Sequence, residues 1–294
     1  MSIEDIKSKV IEANIQYRAG NPIMTDQEFD DMLDVLHSKI SEDEYESFVA
    51  TLNEGGIETN ADGKVKHPFV MGSLNKQKAE NPEETKEWIK SHIKNGISIS
   101  AKVDGISARL EIVNGKVVSC TTRGDGHFGV DITNKVKYFK GIPSNIRSSF
   151  TGNVRGELVI LRTDFESIKD EFANCRNAVA GLVNRKDISP KLGLVSFVPY
   201  TILGEKYTKI EQFKVLSELG FNVSDNFVID IDKIDDSICD FLTSKVGEYS
   251  DNLNYDTDGI VLSDIEYRNE ESYKPTNQIA YKRNMSIKTS TIKF

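Results

Sequence analysis

Lys102-Val103-Asp104-Gly105 closes a run, Ile97-Ser98-Ile99-Ser100-Ala101, in which apolar and polar residues alternate. That period of two predicts a half-buried strand that delivers Lys102 to one face at its end. A lysine becomes a nucleophile when burial or a neighbouring cation depletes its ammonium form, or when a bound electrophile is held against it. Asp104 shares the face of Lys102 if the strand continues, and Gly105 lets the chain turn sharply or approach a ligand closely. By themselves the four residues equally describe a surface lysine before a turn, so the elements around them decide their meaning.

The chain has 294 residues, enough for one large domain and a smaller one. Its 37 Lys plus Arg against 46 Asp plus Glu leave a net charge of −9, so contact with nucleic acid needs a local basic surface or a partner. The three cysteines, Cys120, Cys175 and Cys239, form no C-x-x-C, which argues against a zinc module and a disulfide framework. The four histidines, His37, His67, His92 and His127, show no metal spacing either. With no apolar run of membrane-spanning length and no signal-like start, the expectation is a soluble cytoplasmic protein.

Helical signals dominate the first fifty residues. Ser2 and Asp5 open a helix carrying Ile3, Ile6, Val10, Ala13 and Tyr17 at helical spacing, and Gly20-Asn21-Pro22 ends it. Thr25 and Glu28 make a capping box before the stripe Phe29, Met32, Leu33, Leu36 and Ile40, and Ser41 with Glu44 repeats the device. The expected organisation is a helical domain over 1–55, a linker over 56–66, a catalytic domain over 67–285 and a tail over 286–294.

Strand signals follow. Asn114-Gly115 predicts a type I′ hairpin between Arg109–Val113 and Lys116–Arg123, which should return Arg123 to the start of the Lys102 strand and into the loop Gly124-Asp125-Gly126-His127-Phe128-Gly129. Asp125 and Asp131 read as loop-shaping residues. Val154–Leu161 is a further strand carrying Arg155-Gly156-Glu157, Thr163 with Glu166 caps a helix through Phe172, and Leu194–Leu203 is a buried strand with Tyr200 near its end. Thr208–Leu219 is a helix stopped by Gly220, and Ile260–Leu262 and Gln278–Lys282 are the last strands.

In order, Met71-Gly72-Ser73-Leu74, Lys102-x-Asp104-Gly105, Arg123-Gly124-Asp125-Gly126, Arg155-Gly156-Glu157, Phe172-Ala173-Asn174-x-Arg176-Asn177-Ala178, Asp258-Gly259-Ile260-Val261 and Ala280-Tyr281-Lys282 closely resemble the adenylation core of NAD-dependent DNA ligases. The front helices resemble that family's nicotinamide-mononucleotide (NMN) binding domain. The resemblance implies an α+β nucleotidyltransferase fold of antiparallel sheets with helices, preceded by a small all-α domain. It implies that Lys102 attacks the α-phosphorus of NAD, expels NMN, and passes AMP to a DNA 5′-phosphate before the nick is sealed. Arg123 and Lys282 are then the cations at the phosphates; Glu157 and Asp104 hold ribose hydroxyls or Mg²⁺ waters, with no direct metal cluster. Tyr200 stacks on adenine, Ser73 and Leu74 touch the adenylate, and Arg176 with Arg185 supports contact with nicked double-stranded DNA.

The chain also departs from that pattern. Ser100 stands two residues before the nucleophile where the family has a glutamate, and Ser263 stands where it has a lysine, so the edge of adenine is read differently; Lys274, or Ser263 with a water, is available to substitute. Gln278 replaces a tryptophan, and Val130 an acid. In the front unit Asp26, Phe29 and Asp30 match a D-x-x-Y-D motif with Phe for Tyr, and Tyr17 falls in the preceding Tyr-His position, as Gln16-Tyr17 or Tyr17-Arg18. Asp26 and Asp30, four apart on one helix face, could meet ribose hydroxyls or a pyridinium charge. Beyond Lys282 the family continues into an oligonucleotide-binding barrel, a zinc module and helical DNA clamps, so the expectation is an excised fragment or a catalytic subunit whose partner carries the barrel. Two other readings fit fewer residues: an ATP- or GTP-using nucleotidyltransferase acting on RNA ends, and a non-catalytic nucleotide-binding relative serving as a partner subunit.

Overall fold

A computed structural model describes residues 2–18, 23–42, 44–45, 48–49, 64–147, 149–268 and 272–283. Most of the expected linker and the whole expected tail therefore lie outside the described residues, as do the side chains of Tyr17 and Asp26. The chain divides into two compact units, Met1–Asp62 and Gly63–Phe294.

The described part of the first unit is helical. Helix α1 (Ile3–Arg18) starts with Ser2 and Asp5 capping one another, the Asp5 N–H donating to Ser2 Oγ at 3.1 Å. Helix α2 (Asp26–His37) has the complete Thr25/Glu28 capping box, a device that contributes about 1 kcal/mol. Ile6, Val10, Leu33 and Leu36 close on Tyr45, Phe48 and Val49 to form its core, so the apolar stripes read from the sequence are the buried faces.

The second unit is built on two sheets. The first has the order β2 (Asn75–Lys78), β11 (Gln278–Lys282), β10 (Thr257–Asp264), β3 (Gly96–Val103), β9 (Asn226–Asp230), antiparallel except where β2 runs parallel to β11. Ile97, Ile99, Ile260, Leu262 and Tyr281 bury its one face against α3 (Pro82–His92) and α7 (Ile238–Asn252). The second sheet, wholly antiparallel, has the order β5 (Lys116–Thr122), β4 (Ile106–Val113), β7 (Gly152–Ile160), β8 (Val195–Leu203). Leu110, Leu158, Ile160, Phe197 and Ile202 cover α5 (Cys175–Val183) and α6 (Lys209–Glu218). Val103 at the end of β3 packs with Val159 and Val198 of the second sheet in a small cluster apart from those two cores. A two-stranded ribbon pairs β1 (Lys64–Lys66) with β6 (Phe128–Val130), so the last three residues of the expected linker are a strand of this unit. No described helix is long and apolar enough to cross a membrane.

Four local expectations change. Strand β3 is buried on both faces, with Ser98 and Ser100 as hidden as Ile97 and Ile99, because it is flanked by strands and covered on both sides. It ends at Val103, where the Asp104 N–H turns to the Asp256 carbonyl at 2.8 Å, so Asp104 does not continue the face of Lys102. The hairpin forms, with Asn114 at φ 50° and Gly115 at φ 74°. It belongs to the second sheet, and Arg123 arrives beside Ser107, past the far end of β3, its N–H donating to the Ser107 carbonyl at 2.7 Å. Thr163 caps nothing: only the short helix α4 (Arg162–Phe165) forms there, and Thr163 is bonded through N–H and hydroxyl to Asn254.

Candidate active site

Because each sheet gives one face to its helices, the polar residues of the other faces meet in the second unit. On the first sheet, register sets Lys102 opposite Gly259 and Ser100 opposite Val261. The pairing slips between Thr257 and Gly259, and this bulge leaves Asp258 as an extra residue re-aimed out of the ladder. Its carboxylate lies 2.8 Å from Lys102 Nζ and 2.7 Å from Lys282 Nζ, a bridge between two lysines of neighbouring strands. Gly259 is required beside it: φ is +152°, and a Cβ there would lie 2.4 Å from the Tyr281 carbonyl oxygen.

The charges of the trio are interdependent. Burial raises the Asp258 carboxyl, but Lys102 and Lys282 outweigh it and hold the group down at about 2. Burial also pulls the Lys102 ammonium down, yet Asp258, supported by Glu157 and Asp104, makes the net shift upward. Lys282 is lowered, first by burial and then by the charge of Lys102. The resting site thus holds a protonated Lys102 with its partner already in place.

The facing strands of the second sheet supply a carboxyl and an aromatic. Glu157 on β7 pairs in register with Ser107 on β4, and a second bulge, between Arg155 and Gly156, leaves Tyr200 unpaired on β8. The Tyr200 hydroxyl donates to Glu157 Oε2 at 3.2 Å and shares a 2.9 Å hydrogen bond with Ser107 Oγ. Arg155 donates to that Ser107 oxygen at 3.2 Å and to the Gly72 carbonyl at 2.8 Å. Arg123 donates to the preceding carbonyl, that of Met71, at 2.9 Å and to Tyr273 at 3.2 Å. Two arginines thereby hold successive carbonyls of the segment that leads into Ser73 and Leu74, and the Ser73 N–H is fixed to the Tyr273 carbonyl. Asp104 is held by Arg176 from the first turn of α5, at 2.6 Å.

Burial pushes Glu157 up to about 7, against the pull of Lys102, Arg155 and Arg176. An unfolded chain would ionise it near 4.5, so the native state loses stability as pH rises from there through 7, by about 3 kcal/mol in full. Glu157→Gln keeps an acceptor for Tyr200 without the charge. Melting curves should show it more stable than wild type at pH 8 and little changed at pH 5; an equal difference at both pH values would contradict the assignment.

Among the predicted residues, Lys102, Lys282, Ser100 and Ser263 share one sheet face, Ser100 and Ser263 being almost wholly buried. Glu157 and Tyr200 lie together on the other sheet, Arg123 grips Met71, and Asp104 is reached through Arg176. Arg185 stands apart, exposed and paired with Asp187 at 3.2 Å. Phe29 and Asp30 are half-buried on α2 in the first unit. Asp258, Arg155, Ser107 and Tyr273 received no role from the sequence; Asp258 and Arg155 had a signal in their motifs, Ser107 and Tyr273 none.

Residues 60–284 match the family model described as the NAD-dependent DNA ligase adenylation domain. The chain belongs to this family. The chain is 32% identical over 286 aligned residues to a DNA ligase of Petrotoga mobilis, covering 88% of this chain and 41% of that protein. It is 38% identical over 214 residues to a DNA ligase of Pelagibacter ubique, 66% of this chain and 31% of that one. A DNA ligase of Mycoplasmopsis agalactiae, 29% identical, aligns with 99% of this chain and 47% of its own length. The chain spans less than half the length of these curated relatives. Among solved structures, an archaeal ATP-dependent RNA ligase aligns with a TM-score of 0.43 and 13% identity over 74% of this chain and 48% of its own, too loose a likeness to argue from.

Proposed function

We propose that this adenylation domain transfers AMP from NAD to its own Lys102, as the first step of joining a nick in duplex DNA. The observation that carries the reading is the Asp258 carboxylate shared by Lys102 and Lys282, which aligns a nucleophile and a phosphate-binding cation on neighbouring strands. Lys102 first releases a proton to solvent. Its neutral Nζ then attacks the α-phosphorus; the N–P bond forms as the P–O bond to the NMN phosphate breaks, NMN leaves with the electron pair, and the nitrogen gives up a second proton to solvent to leave the phosphoramidate. Lys282 and Arg123 face the negative charge that builds on the phosphoryl oxygens.

Tyr200 and the Ser73–Leu74 segment, held by Arg155 and Arg123, bound the adenosine, and Ser100 and Ser263 address its base with hydroxyls alone. Phe29 and Asp30, with Tyr17 and Asp26, would take the nicotinamide ribose. Glu157 fits Mg²⁺ as a hard oxygen donor lacking a full cationic partner, and among the described residues no cluster of three ligating side chains exists for a tighter metal site. It would hold the ion together with substrate phosphate oxygens, and the ion would supply charge neutralisation there.

AMP then passes to a DNA 5′-phosphate, with Arg176 and the exposed Arg185 on the DNA side. A cytoplasmic role in replication or repair agrees with that substrate. Relatives of more than twice the aligned length suggest that duplex clamping draws on a barrel in a C-terminal region or second subunit. Residues 1–294 should therefore release NMN from NAD in a single turnover, one per protein, yet seal nicks poorly. Chromatography of the nucleotide pool checks the first outcome and a gel-based nick-joining assay the second; intact NAD after prolonged incubation would overturn the proposal.

A further inference from the structure

The register of the first sheet lines up more cations than the trio uses. Lys102 is opposite Gly259, Ile260 is opposite Tyr281, and Lys282 is opposite Lys78, so Lys102, Gly259, Lys282 and Lys78 form one transverse row over β3, β10, β11 and β2. Paired residues point to one side of a sheet, and Gln77 and Asn75 take the other side with the buried Tyr281 and Ile279. Lys76 lies on the same face one row on, opposite Ala280, and its charge is felt by Lys282. With neighbouring strands about 4.8 Å apart, the row spans roughly 14 Å. Gly259, with no side chain, leaves a trough between Lys102 and Lys282.

Charge decides what the row is for. Asp258 neutralises one of the two lysines it touches, so the trio keeps a single net positive charge and only Arg123 joins it in facing a dinucleotide anhydride with two phosphates. Lys78 is exposed and makes no ion pair among the described residues. In an in-line displacement the group that leaves, and later the group that attacks, must occupy the position across the phosphorus from Lys102. Under the adenylation reading, both are phosphomonoesters: the phosphate of NMN and the 5′-phosphate of a DNA strand.

We propose that Lys76 and Lys78 on edge strand β2 form a second phosphate subsite, continuous with Lys282, that binds a phosphomonoester. The inference rests on the adenylation reading for the identity of its ligands and on strand register for its position. An ammonium on a phosphate makes a charge-assisted hydrogen bond, and losing two such contacts weakens binding by about tenfold or more.

The test compares wild type with the double variant Lys76→Gln/Lys78→Gln at fixed low ionic strength, titrating first NMN and then nicked duplexes bearing a 5′-phosphate or a 5′-hydroxyl. A loss of about tenfold for NMN alone assigns the subsite to the leaving group. A loss for the 5′-phosphate duplex, beyond any loss for the 5′-hydroxyl duplex, assigns it to the DNA end, and losses for both assign it to each in turn. Lys76→Arg/Lys78→Arg should restore binding, and melting curves report that the variants are folded. Unchanged affinity for NMN and for the 5′-phosphate in the double variant overturns the proposal. Failure of the adenylation reading is separately visible as absence of NMN release from NAD by wild type; inorganic phosphate titrated by ³¹P NMR then still distinguishes wild type from the double variant if the subsite exists, and gives identical curves if it does not.

Discussion

Lys102→Arg should give a folded protein that takes up no AMP. The guanidinium keeps the positive charge that Asp258 requires and matches a carboxylate fork, so the bridge across β3, β10 and β11 survives. It does not deprotonate near neutral pH and therefore offers no lone pair to phosphorus. The loss should be at least about 10⁴-fold, more than 5 kcal/mol of barrier, since no other described lysine shares both the Asp258 contact and the end position on β3. Rapid-quench measurement of AMP incorporation, with melting curves to show that the variant is folded, checks it. Residual incorporation within tenfold of wild type would place the nucleophile elsewhere.

Asp258→Asn should have the next largest effect, and in two directions. Without the carboxylate, Lys102 and Lys282 lose the group that holds them together; a nucleophile freed from its orientation should lower the single-turnover rate by about 10²-fold. Burial then acts on Lys102 with less opposition, so its pKa falls and the rising limb of the pH–rate profile moves to lower pH. Stability follows the opposite group. The folded pKa of Asp258, about 2, lies below its ordinary 3.8, so the carboxylate stabilises the native state above pH 3.8 and that contribution disappears as pH falls through 2. The full contribution is about 2 kcal/mol. Wild type and Asp258→Asn should therefore differ in melting temperature at pH 7 and converge towards pH 2. A profile that moves to higher pH would contradict the account of Lys102.

How far the sequence could be read depended on whether a residue obeyed the period of its element. The capping box at Thr25, the helix from Thr208 and the Asn114-Gly115 turn are local rules with local causes, and each formed as read, whereas the alternation along β3 gave a strand hidden on both faces. Asp258 and Tyr200 are the extra residues of two bulges, where two residues of one strand oppose one of its partner. A period-two reading assigns such residues to the wrong face or to none, and those are the residues that bind the nucleophile and Glu157. Gly156 shows the same constraint: a Cβ there would lie 2.6 Å from the Val198 carbonyl oxygen, so the bulge that frees Tyr200 depends on it. Asp104 illustrates a tertiary override, since Asp256 captures its N–H and Arg176 its carboxylate. Tyr273, far along the chain from Arg123 and Ser73, left no signal that spacing could detect.

The most direct test of the central claim is the intact mass of wild-type protein after incubation with Mg²⁺ and NAD, with ATP in a parallel sample, followed by peptide mapping. The account predicts one added adenylate from NAD, none from ATP, and its location on the peptide bearing Lys102. An adduct from ATP alone, an adduct on another lysine, or an unchanged mass with both nucleotides would contradict it.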